Sequence, residues 1–249
     1  MDIIEVKKLS KTFGDFFALK NINLKIKSGE FFGCFGPNAA GKTTLLKILT
    51  GQLEQTSGSA YVWGLDVTDD PIKIKSKIGI VPEFESPPSF LTPEEYLYFV
   101  CQIRNVPNPE NKIRHWINFF ELNSHTNKIC KDLSKGLRQK VMLASAFIHQ
   151  PKLIFLDEPF INLDPLFQKK VKDYLKKILT RNVTFFMCTH LLEIAEKLCD
   201  RIAILNKGRI IACDSIQSLR VKRSEDLGEI FFRLVKQDQK NNKKATVIK

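Results

Sequence analysis

The sequence contains few of the residues that mark disulfide-rich or metal-binding proteins. It has six cysteines, three methionines and two tryptophans among its 249 residues. The cysteines are Cys34, Cys101, Cys130, Cys188, Cys199 and Cys213. They are scattered, without the CxxC pairs or Cys/His spacings that zinc sites require. We therefore expect reduced thiols packed in the core.

Long hydrophobic runs are also missing. No apolar stretch approaches the roughly 20 residues that cross a bilayer as a helix. The N-terminal segment, MDIIEVKKLS, lacks the basic and apolar regions of a secretory signal. These absences predict a chain without a transmembrane segment of its own, located in the cytosol.

Acidic residues are scarce relative to basic ones. There are 39 lysines and arginines against 27 acidic residues, which gives a formal net charge of +12. Such a charge suits nucleic acid or anionic lipid headgroups as a partner. The basic residues are spread along the chain, however, which fits an ordinary solvated surface equally well. Residues 236–249 are polar and basic enough to form a poorly ordered tail.

What the sequence does contain is the pattern of a layered α/β protein. Apolar residues make up 43% of the chain, enough for a large core. Alternating patterns predict a small antiparallel sheet from residues 2–6, 22–26 and 59–63. Nearly continuous apolar runs predict buried parallel strands at residues 31–35, 153–156, 183–188 and 202–205. Helical patterns lie between them, so we expect a doubly wound sheet with its ligand site at the carboxyl ends of the strands.

A helical stretch interrupts that alternation between residues 86 and 149. Its first helix has a clear start, because Thr92 can cap it and Glu95 completes a capping box. A second helix is predicted from Pro109, and we interpret the aromatic stripe around Trp116 as core. The stretch therefore predicts a helical subdomain inserted into the α/β core.

The strongest motif follows the first buried strand. It fits G-x-x-x-x-G-K-[ST] and consists of Gly36, Pro37, Asn38, Ala39, Ala40, Gly41, Lys42 and Thr43. Small residues let successive backbone N–H groups converge on a phosphate, and the helix that follows favours an anion at its N-terminus. Lys42 would lie between the β- and γ-phosphates, Thr43 would bind Mg²⁺, and Thr44 would reach the α-phosphate. The motif predicts a site for a nucleoside triphosphate.

Two adjacent carboxylates end another buried strand. Asp157 suits the Mg²⁺ of a phosphate-loop enzyme, and Glu158 suits the water that attacks the γ-phosphate. Taken alone, the pair could equally be a solvated strand end. His190 follows the next buried strand, so it would emerge at the same edge and could bridge the γ-phosphate and Glu158. The other histidines are interpreted as surface or packing residues: His115, His125 and His149.

The segment Leu133-Ser134-Lys135-Gly136-Leu137-Arg138-Gln139 resembles the signature (LSGGQ) of ABC transporter nucleotide-binding subunits. A Ser and a Gly at a helix N-terminus make a second phosphate-binding nest, which suits two copies of the chain. The order of the motifs matches that family too, over roughly residues 2–212. The resemblance implies an ATPase that binds ATP and Mg²⁺. It also implies a head-to-tail dimer in which Ser134 and Gly136 touch the ATP of a second ATPase subunit, either an identical chain or a close paralogue.

Two further positions are interpreted from the same resemblance. Phe13 is similar to the aromatic residue that stacks on adenine, with a buried core phenylalanine as the alternative. Asp164, in Asn162-Leu163-Asp164-Pro165, is similar to the key acid of the loop that crosses to the partner subunit at the nucleotide site.

The resemblance implies one ABC ATPase domain over residues 1–235, built from three parts. These are an antiparallel β subdomain at about residues 1–30 and 58–65, a P-loop NTPase (RecA-like) α/β core with a mainly parallel sheet at about 31–85 and 150–212, and a helical signature subdomain at about 86–149. Residues 213–249 would form a short C-terminal extension with a basic tail.

Three residues depart from the family pattern. Ala39 replaces a usual glycine, which is tolerated if that residue does not need φ > 0. Lys135 replaces a signature glycine and could clash with the γ-phosphate contact or add charge to it. Glu83 replaces a glutamine that meets Mg²⁺, and a carboxylate can still ligate the metal. The last two substitutions resemble the branch that uses separate ATPase and membrane chains for drug, sodium or polysaccharide export.

Together these features favour an ATP-binding subunit that drives translocation through a separate integral membrane subunit, at the cytoplasmic face and without a direct nucleic acid partner. The alternative is a soluble ABC ATPase acting on ribosomes or nucleic acid, which the charge would suit. A single cassette and the lack of a long coiled-coil insertion between Thr43 and Asp157 argue against it. A regulatory module without turnover is disfavoured by Glu158 and His190.

Overall fold

The computed structural model describes residues 2–83, 86–222 and 224–247, with side chains as far as residue 240. The chain divides into two compact units. The first is formed by Met1–Ile74 with Thr184–Lys249, and the second by Lys75–Val183. Within the described ranges, no helix is both long and apolar enough to span a bilayer.

The elements follow one another along the chain as strands and helices of ordinary length. The strands are β1 (Asp2–Phe13), β2 (Phe16–Lys27), β3 (Phe31–Phe35), β4 (Ser57–Val62), β5 (Leu65–Asp66), β6 (Ile78–Val81), β7 (Leu153–Asp157), β8 (Thr184–Cys188), β9 (Arg201–Asn206) and β10 (Arg209–Ser215). The helices are α1 (Lys42–Leu49), α2 (Pro71–Lys77), α3 (Pro93–Ile103), α4 (Pro109–Phe119), α5 (Lys135–Phe147), α6 (Pro165–Leu179), α7 (Leu192–Leu198), α8 (Ile216–Leu219) and α9 (Leu227–Val247). Two short 3₁₀ turns occupy Asn123–His125 and Cys130–Asp132.

The first unit contains a four-stranded antiparallel sheet in the order β2-β1-β4-β5. β1 and β2 form a long hairpin, with Phe13 opposite Phe16 at its end. Buried and exposed residues alternate along β2, because one face of the sheet packs on the core and the other meets solvent. The antiparallel sheet predicted from the three alternating segments is confirmed.

Four further strands of the first unit lie in the order β10-β9-β3-β8. β3 pairs in parallel with β8 and β9, while β10 returns antiparallel to β9. Every residue of β3 and β8 is buried, and Phe31 stacks on Phe185 with ring centroids 4.6 Å apart. The carboxyl ends of β3 and β8 therefore open at the same edge, which is where α/β sheets bind ligands.

The second unit has its own parallel pair, β6 and β7, with Ile78 opposite Leu153 and Val81 opposite Leu156. β7 is completely buried. α5 lies close to β6, since a Cβ added at Gly79 would be 2.4 Å from the carbonyl oxygen of Ala146. The carboxyl ends of β6 and β7 thus also open at a common edge.

The helices of the second unit begin and pack as the sequence predicts. The Thr92 hydroxyl accepts from the N–H of Glu95 at 3.3 Å, and the Glu95 carboxylate accepts from the N–H of Thr92 at 2.8 Å. The bond from the Thr92 backbone lowers the pKa of the Glu95 carboxyl. Trp116 is buried and stacks on Phe120 and Phe147, with ring centroids 5.6 and 5.5 Å away. The aromatic stripe is core, as interpreted.

The cysteines are free thiols; five are buried and Cys213 is half-buried. Burial raises the pKa of the Cys130 thiol to about 11, so this thiol stays protonated and unreactive at neutral pH. The prediction of reduced core thiols is confirmed for the five buried residues.

The C-terminal segment differs from the expectation. From Lys236 to Val247 the chain is helical as the second half of α9, where composition indicates a poorly ordered tail; residues 248–249 of that predicted tail lie outside the described residues. The helix starts earlier, at Leu227, and it buries Leu227 and Ile230. Lys, Gln and Ala are good helix formers, so a helix that is anchored by its apolar start extends through the polar residues.

Candidate active site

The phosphate loop of the first unit joins β3 to α1. Gly41 precedes the helix with φ of +108°, and a Cβ there would lie 2.6 Å from the carbonyl oxygen of Ala18. In the described part of the chain no side chain caps α1. Because the first N–H groups of a helix have no partner within it, this start presents them to an anion together with the positive end of the helix dipole.

Lys42 is the first residue of α1, and only 9% of its surface is exposed. Its ammonium donates to the carbonyl oxygens of Gly36 at 2.8 Å and Pro37 at 3.1 Å. Thr43 and Thr44 follow on the helix and are half-buried. The loop therefore holds one positive charge among backbone groups, as phosphate binding by this motif requires.

His190 emerges at the edge that carries the phosphate loop. β8 runs parallel to β3 with Cys188 opposite Cys34, and the Cys188 thiol donates to the carbonyl oxygen of Lys42 at 3.8 Å. His190 follows two residues later and is exposed. Within the first unit, the structure thus brings together the phosphate loop and the predicted histidine.

A turn between β9 and β10, residues 206–209, lies against the phosphate loop. The N–H of Gly208 donates to the carbonyl oxygen of Ala40 at 3.0 Å, and the carbonyl of Gly208 accepts from the N–H of Lys20 at 2.7 Å. A Cβ at Gly36 would lie 2.2 Å from the carbonyl oxygen of Leu205. The β9–β10 turn therefore fixes the loop. No motif at the sequence level assigns this turn to the site, although Asn-Lys-Gly before a strand is a turn signal.

Ala39 has a positive φ of +61°. The sequence-based expectation was that alanine is tolerated here if φ is not positive, and that condition does not hold. An L-residue in this conformation brings its Cβ close to the backbone, at a cost of about 1 to 2 kcal/mol. The phosphate loop therefore carries strain that the usual glycine would not.

Phe13 ends β1 and is 50% exposed. The Lys11 ammonium lies 5.1 Å from the centre of its ring. The alternative that Phe13 is a core residue is therefore wrong. An exposed ring on the same unit as the phosphate loop is available for stacking, as the resemblance implies.

In the second unit the two predicted carboxylates are buried. Asp157 ends β7 with 2% of its surface exposed, and Glu158 follows with 5% exposed. The alternative of a solvated strand end is therefore wrong. Glu158 has a positive φ of +49°, a conformation that breaks the strand direction. Because β6 is parallel to β7, Glu83 lies just past the neighbouring strand end at the same edge.

The signature turn starts α5. The Ser134 hydroxyl accepts from the N–H of Leu137 at 3.3 Å and so caps the helix. A Cβ at Gly136 would lie 2.6 Å from the carbonyl oxygen of Asn162. The two other family departures face one cleft of about 310 Å³, which is lined by Glu83, Ser86, Lys135, Arg138, Gln139, Ile161 and Asn162. The acid and the base that replace neutral family residues therefore occur in the same cleft.

The loop after the acidic strand is held from both sides by glutamine side chains. Gln139 of α5 donates to the carbonyl oxygen of Pro159 at 3.1 Å. Gln168 of α6 donates to the carbonyl oxygens of Phe160 at 3.1 Å and Leu163 at 3.2 Å. Neither glutamine has this role in the sequence-based prediction, because a side-chain hydrogen bond to a distant carbonyl leaves no local pattern.

Asp164 caps α6, with its carboxylate accepting from the N–H of Phe167 at 2.9 Å. Its side chain is exposed at the surface of the second unit. The family resemblance implies that Asp164 lies near the nucleotide. In this structure Asp164 also serves as the N-cap of α6.

His149 lies away from the acidic edge. Its Nε2 is 3.0 Å from the carbonyl oxygen of Ile78, at the beginning of β6. Burial, together with the nearby Arg104 charge, lowers the pKa of His149 to about 4. The residue is neutral at physiological pH and has a packing role, as the sequence analysis interpreted it.

A magnesium site can be tested against the donors that are present. No group of three or more His, Cys, Asp or Glu side chains in the described part of the chain could hold a metal ion. Mg²⁺ seldom uses such a cage, since it binds through one or two protein oxygens together with phosphate oxygens and water. The Thr43 hydroxyl of the first unit and the buried Asp157 carboxylate of the second unit are each oxygen donors of that kind, so each suits the ion by its chemistry.

The strand, glycine-bounded turn and helix around Lys42 define a P-loop nucleoside triphosphatase. A sequence profile described as "ABC transporter" matches residues 19–161. The chain belongs to this family, as an ATP-binding cassette.

Relatives of this chain have names within the same family. It is 34% identical over 226 residues to the "Probable multidrug ABC transporter ATP-binding protein YbhF" of Escherichia coli (strain K12), covering 90% of this chain and 39% of that protein. It is 35% identical over 217 residues to the "Nod factor export ATP-binding protein I" of Rhizobium etli, covering 85% of this chain and 68% of that protein. The chain thus spans well under half of the first relative and about two thirds of the second.

Solved structures are similar over most of their length. One described as "Structure of ATP binding subunit of ABC transporter" has a TM-score of 0.87 and 28% identity, covering 94% of this chain and 99% of that one. Another is the dimeric structure of a post-hydrolysis state of the ATP-binding cassette MJ0796 bound to ADP and Pi. Its TM-score is 0.80 with 27% identity, covering 86% of this chain and 98% of that one.

Proposed function

We propose that this chain binds and hydrolyses ATP as one of two ATPase subunits that drive a membrane transporter. The observation that carries the proposal is the phosphate loop, in which the Lys42 ammonium is held among backbone groups beside a helix start that no described side chain caps. A neutral ligand would leave the lysine charge uncompensated, whereas a polyphosphate matches the site in charge and in hydrogen-bond geometry.

Within this proposal the residues of the loop bind the phosphates. Lys42 exchanges its loop carbonyls for β- and γ-phosphate oxygens, and Thr44 donates to the α-phosphate. Thr43, Glu83 and Asp157 would hold Mg²⁺, and Phe13 stacks on adenine. When bound, the ion would supply positive charge that offsets the charge of the phosphates.

Glu158 is the proposed base for hydrolysis. Its carboxylate orients a water molecule and accepts a proton from it as the oxygen attacks the γ-phosphorus. The bond between that phosphorus and the β–γ bridging oxygen breaks, and ADP and inorganic phosphate are released. His190 donates to a γ-phosphate oxygen and keeps Glu158 oriented. A buried carboxylate suits this task, because a site that excludes bulk water strengthens each hydrogen bond to the reacting atoms.

The signature turn is proposed to act on the ATP of a second subunit, identical or closely related. Ser134 and Gly136 would present the N-terminus of α5 to that γ-phosphate, and Asp164 would contact the partner at the same nucleotide. Lys135 adds a cation to this surface, and we propose that it strengthens the phosphate contact. The match to a cassette solved as a dimer supports this arrangement.

A separate membrane subunit, with the chain on its cytoplasmic side, is proposed as the working partner. The relatives named for multidrug transport and Nod factor export favour the export branch. Glu83 and Lys135 were assigned to that branch from the sequence as well. We propose that the domain organisation follows the family, with a β subdomain, a P-loop core and the helical signature subdomain in one ATPase domain, and residues 213–249 as an extension.

Hydrolysis is tested by Glu158→Gln. The amide cannot take the proton, so turnover should fall roughly 10²- to 10⁴-fold, while ATP binding is kept and an ATP-dependent dimer accumulates. Glu193→Gln, at an exposed acid of α7, is the matched control and should hydrolyse ATP normally. Wild-type turnover in Glu158→Gln would contradict the assigned role.

The partner class is tested by purification of the chain from solubilised membranes. An integral membrane protein that co-purifies in stoichiometric amount supports transport. A ribosomal or nucleic acid partner would replace this proposal with that of a soluble ABC ATPase, for which the charge of +12 is the supporting observation.

A further inference from the structure

Within the first unit, helix α9 is joined to the neighbouring elements by apolar packing and by a partly buried hydrogen bond. Leu227 and Ile230 are buried at its start. Two turns further on, the Asp238 carboxylate accepts from the side-chain amide of Asn206 at 2.7 Å. Asn206 is only 4% exposed. A buried amide without an acceptor would be costly, so Asp238 is a required partner for it.

Asn206 is the last residue of β9 and the first of the β9–β10 turn. The residue before it, Leu205, has its carbonyl oxygen against Gly36 of the phosphate loop. The turn glycine, Gly208, donates to the carbonyl oxygen of Ala40 at 3.0 Å. Asp238 thus fixes a turn that contacts the phosphate loop on both sides of its strained residue, Ala39.

The contacts form a short physical path from α9 to the nucleotide site. It has three steps: a charge-assisted hydrogen bond, a tight turn with Lys207 and Gly208 at φ of +46° and +74°, and a backbone bond to the loop. Such a turn is stiff, because few conformations satisfy two successive positive φ angles. Displacement at Asn206 is therefore passed to Ala40 rather than absorbed.

We propose that Asp238 is a positioning residue for the phosphate loop, so that α9 sets nucleotide affinity without touching the nucleotide. The proposal rests on the proposed function, since it assumes that the loop binds a nucleotide. It gives the C-terminal extension a role in the ATP site. A partner that moved α9 would also change nucleotide affinity, because coupling between two sites is reciprocal.

The test compares ADP affinity in full-length variants, because ADP is not hydrolysed during the measurement. Asp238→Ala leaves the Asn206 amide without its acceptor, and affinity should fall about 3- to 30-fold, the coupling range of mutations along packed contacts. Asp238→Asn keeps an acceptor oxygen and should bind ADP nearly as the wild type does. Gln237→Ala, at an exposed neighbour on the same helix, should not change affinity.

Hydrogen exchange separates positioning from a purely structural role. In Asp238→Ala the Gly208 N–H should exchange faster, and in the wild type ADP should slow exchange within residues 227–240. The effect of ADP on exchange in α9 is measured on the wild type alone. It therefore tests the positioning role even if Asp238→Ala fails to fold.

Three results would overturn the proposal: wild-type ADP affinity in Asp238→Ala, equal losses in Asp238→Ala and Asp238→Asn, or no ADP effect on α9 exchange while the loop is protected. If the wild-type chain itself does not bind ADP, the proposed function fails instead, and the two failures are distinct.

Discussion

Two helices of this chain begin at turns that the family uses for phosphate, and they begin differently. α1, in the first unit, follows a glycine at φ of +108° and has no side-chain cap among the described residues. α5, in the second unit, is capped by Ser134, whose hydroxyl already accepts from Leu137. The N-cap residue of the first helix, Gly41, supplies no side-chain cap, whereas Ser134 satisfies one N–H group of the second helix.

The difference predicts two phosphate-binding elements of unequal strength. The α1 loop has a buried lysine at its centre, while Lys135 at the start of α5 is exposed and screened by water. The α1 loop should therefore bind ATP in a single chain. The α5 turn should contribute only when ATP is presented on a second subunit.

The largest effect is expected from Lys42→Ala. It removes a charge-assisted contact to two phosphates, and ATP affinity should fall about 100-fold, as the loss of one or two such bonds implies. Lys47→Ala, at an exposed lysine on the same helix, is the control and should bind normally. Titration calorimetry measures the ATP affinity of both variants. Unchanged affinity in Lys42→Ala would contradict the prediction that the α1 loop binds phosphate more strongly than the α5 turn.

Ser134→Arg should have the opposite profile. A bulky cation at the exposed cap blocks the approach of a second subunit, so the ATP-dependent dimer and cooperative turnover should be lost while ATP affinity in the single chain is unchanged. Ser218→Arg, in the short helix α8 and outside the signature, is the control. Light scattering with and without ATP gives the mass; a dimer of Ser134→Arg would refute the shared site.

Lowering the pH should destabilise the second unit, because the half-buried His149 imidazole must then be protonated. This residue belongs to neither of the two turns. Its pKa is about 4 in the folded chain and about 6.5 when unfolded, so the unfolded state binds more protons between these values. The stability that the neutral ring contributes is complete above pH 6.5 and is lost as the pH falls towards 4. Because His149 is partly exposed and solvent reduces the effect, we expect the free energy of unfolding to fall by about 2 kcal/mol.

Urea titrations from pH 7 to pH 4.5 measure this loss. His149→Gln keeps a donor for Ile78 but does not titrate in this range, so its stability should vary less with pH. An equal pH dependence in the wild type and in His149→Gln would contradict the assignment.

The smallest effect is expected at Ala39. Glycine relieves the strain at φ of +61° but loses more conformational entropy on folding, so Ala39→Gly should stabilise the chain by about 0.5 to 1 kcal/mol. The melting temperature should rise by about 2 °C. Ala40→Gly, at a buried alanine without positive φ, should destabilise it. Calorimetric melting compares the two, and destabilisation by both would show that strain is absent.

Much of the fold could be predicted because the relevant signals are local. The apolar run of β3 and the glycine and lysine spacing after it predict a buried strand and a phosphate loop without any distant contact. The capping box at Thr92 is equally local. Asp157 and Glu158 gained a functional interpretation only when combined with the loop, and their burial in the structure then excluded the solvated alternative.

The residues that escaped prediction act across long sequence separations. Gly208 meets Ala40, Gln139 meets Pro159, and Asp238 meets Asn206. No periodicity or motif marks such pairs. The φ of Ala39 is likewise a property of how the loop is held between β3 and the β9–β10 turn, and α9 was missed because its polar second half looks like a tail in composition.

The central claim is that the phosphate loop of one chain works with the signature turn of another. Mixing Lys42→Ala chains with Ser134→Arg chains tests it most directly. A hybrid dimer carries the blocking arginine at one of its two sites instead of both, and its other site has both elements intact. Each variant alone should be inactive, and the mixture should regain ATP-dependent dimers and part of the wild-type turnover. A mixture as inactive as its components, or full turnover by Ser134→Arg alone, would contradict the account.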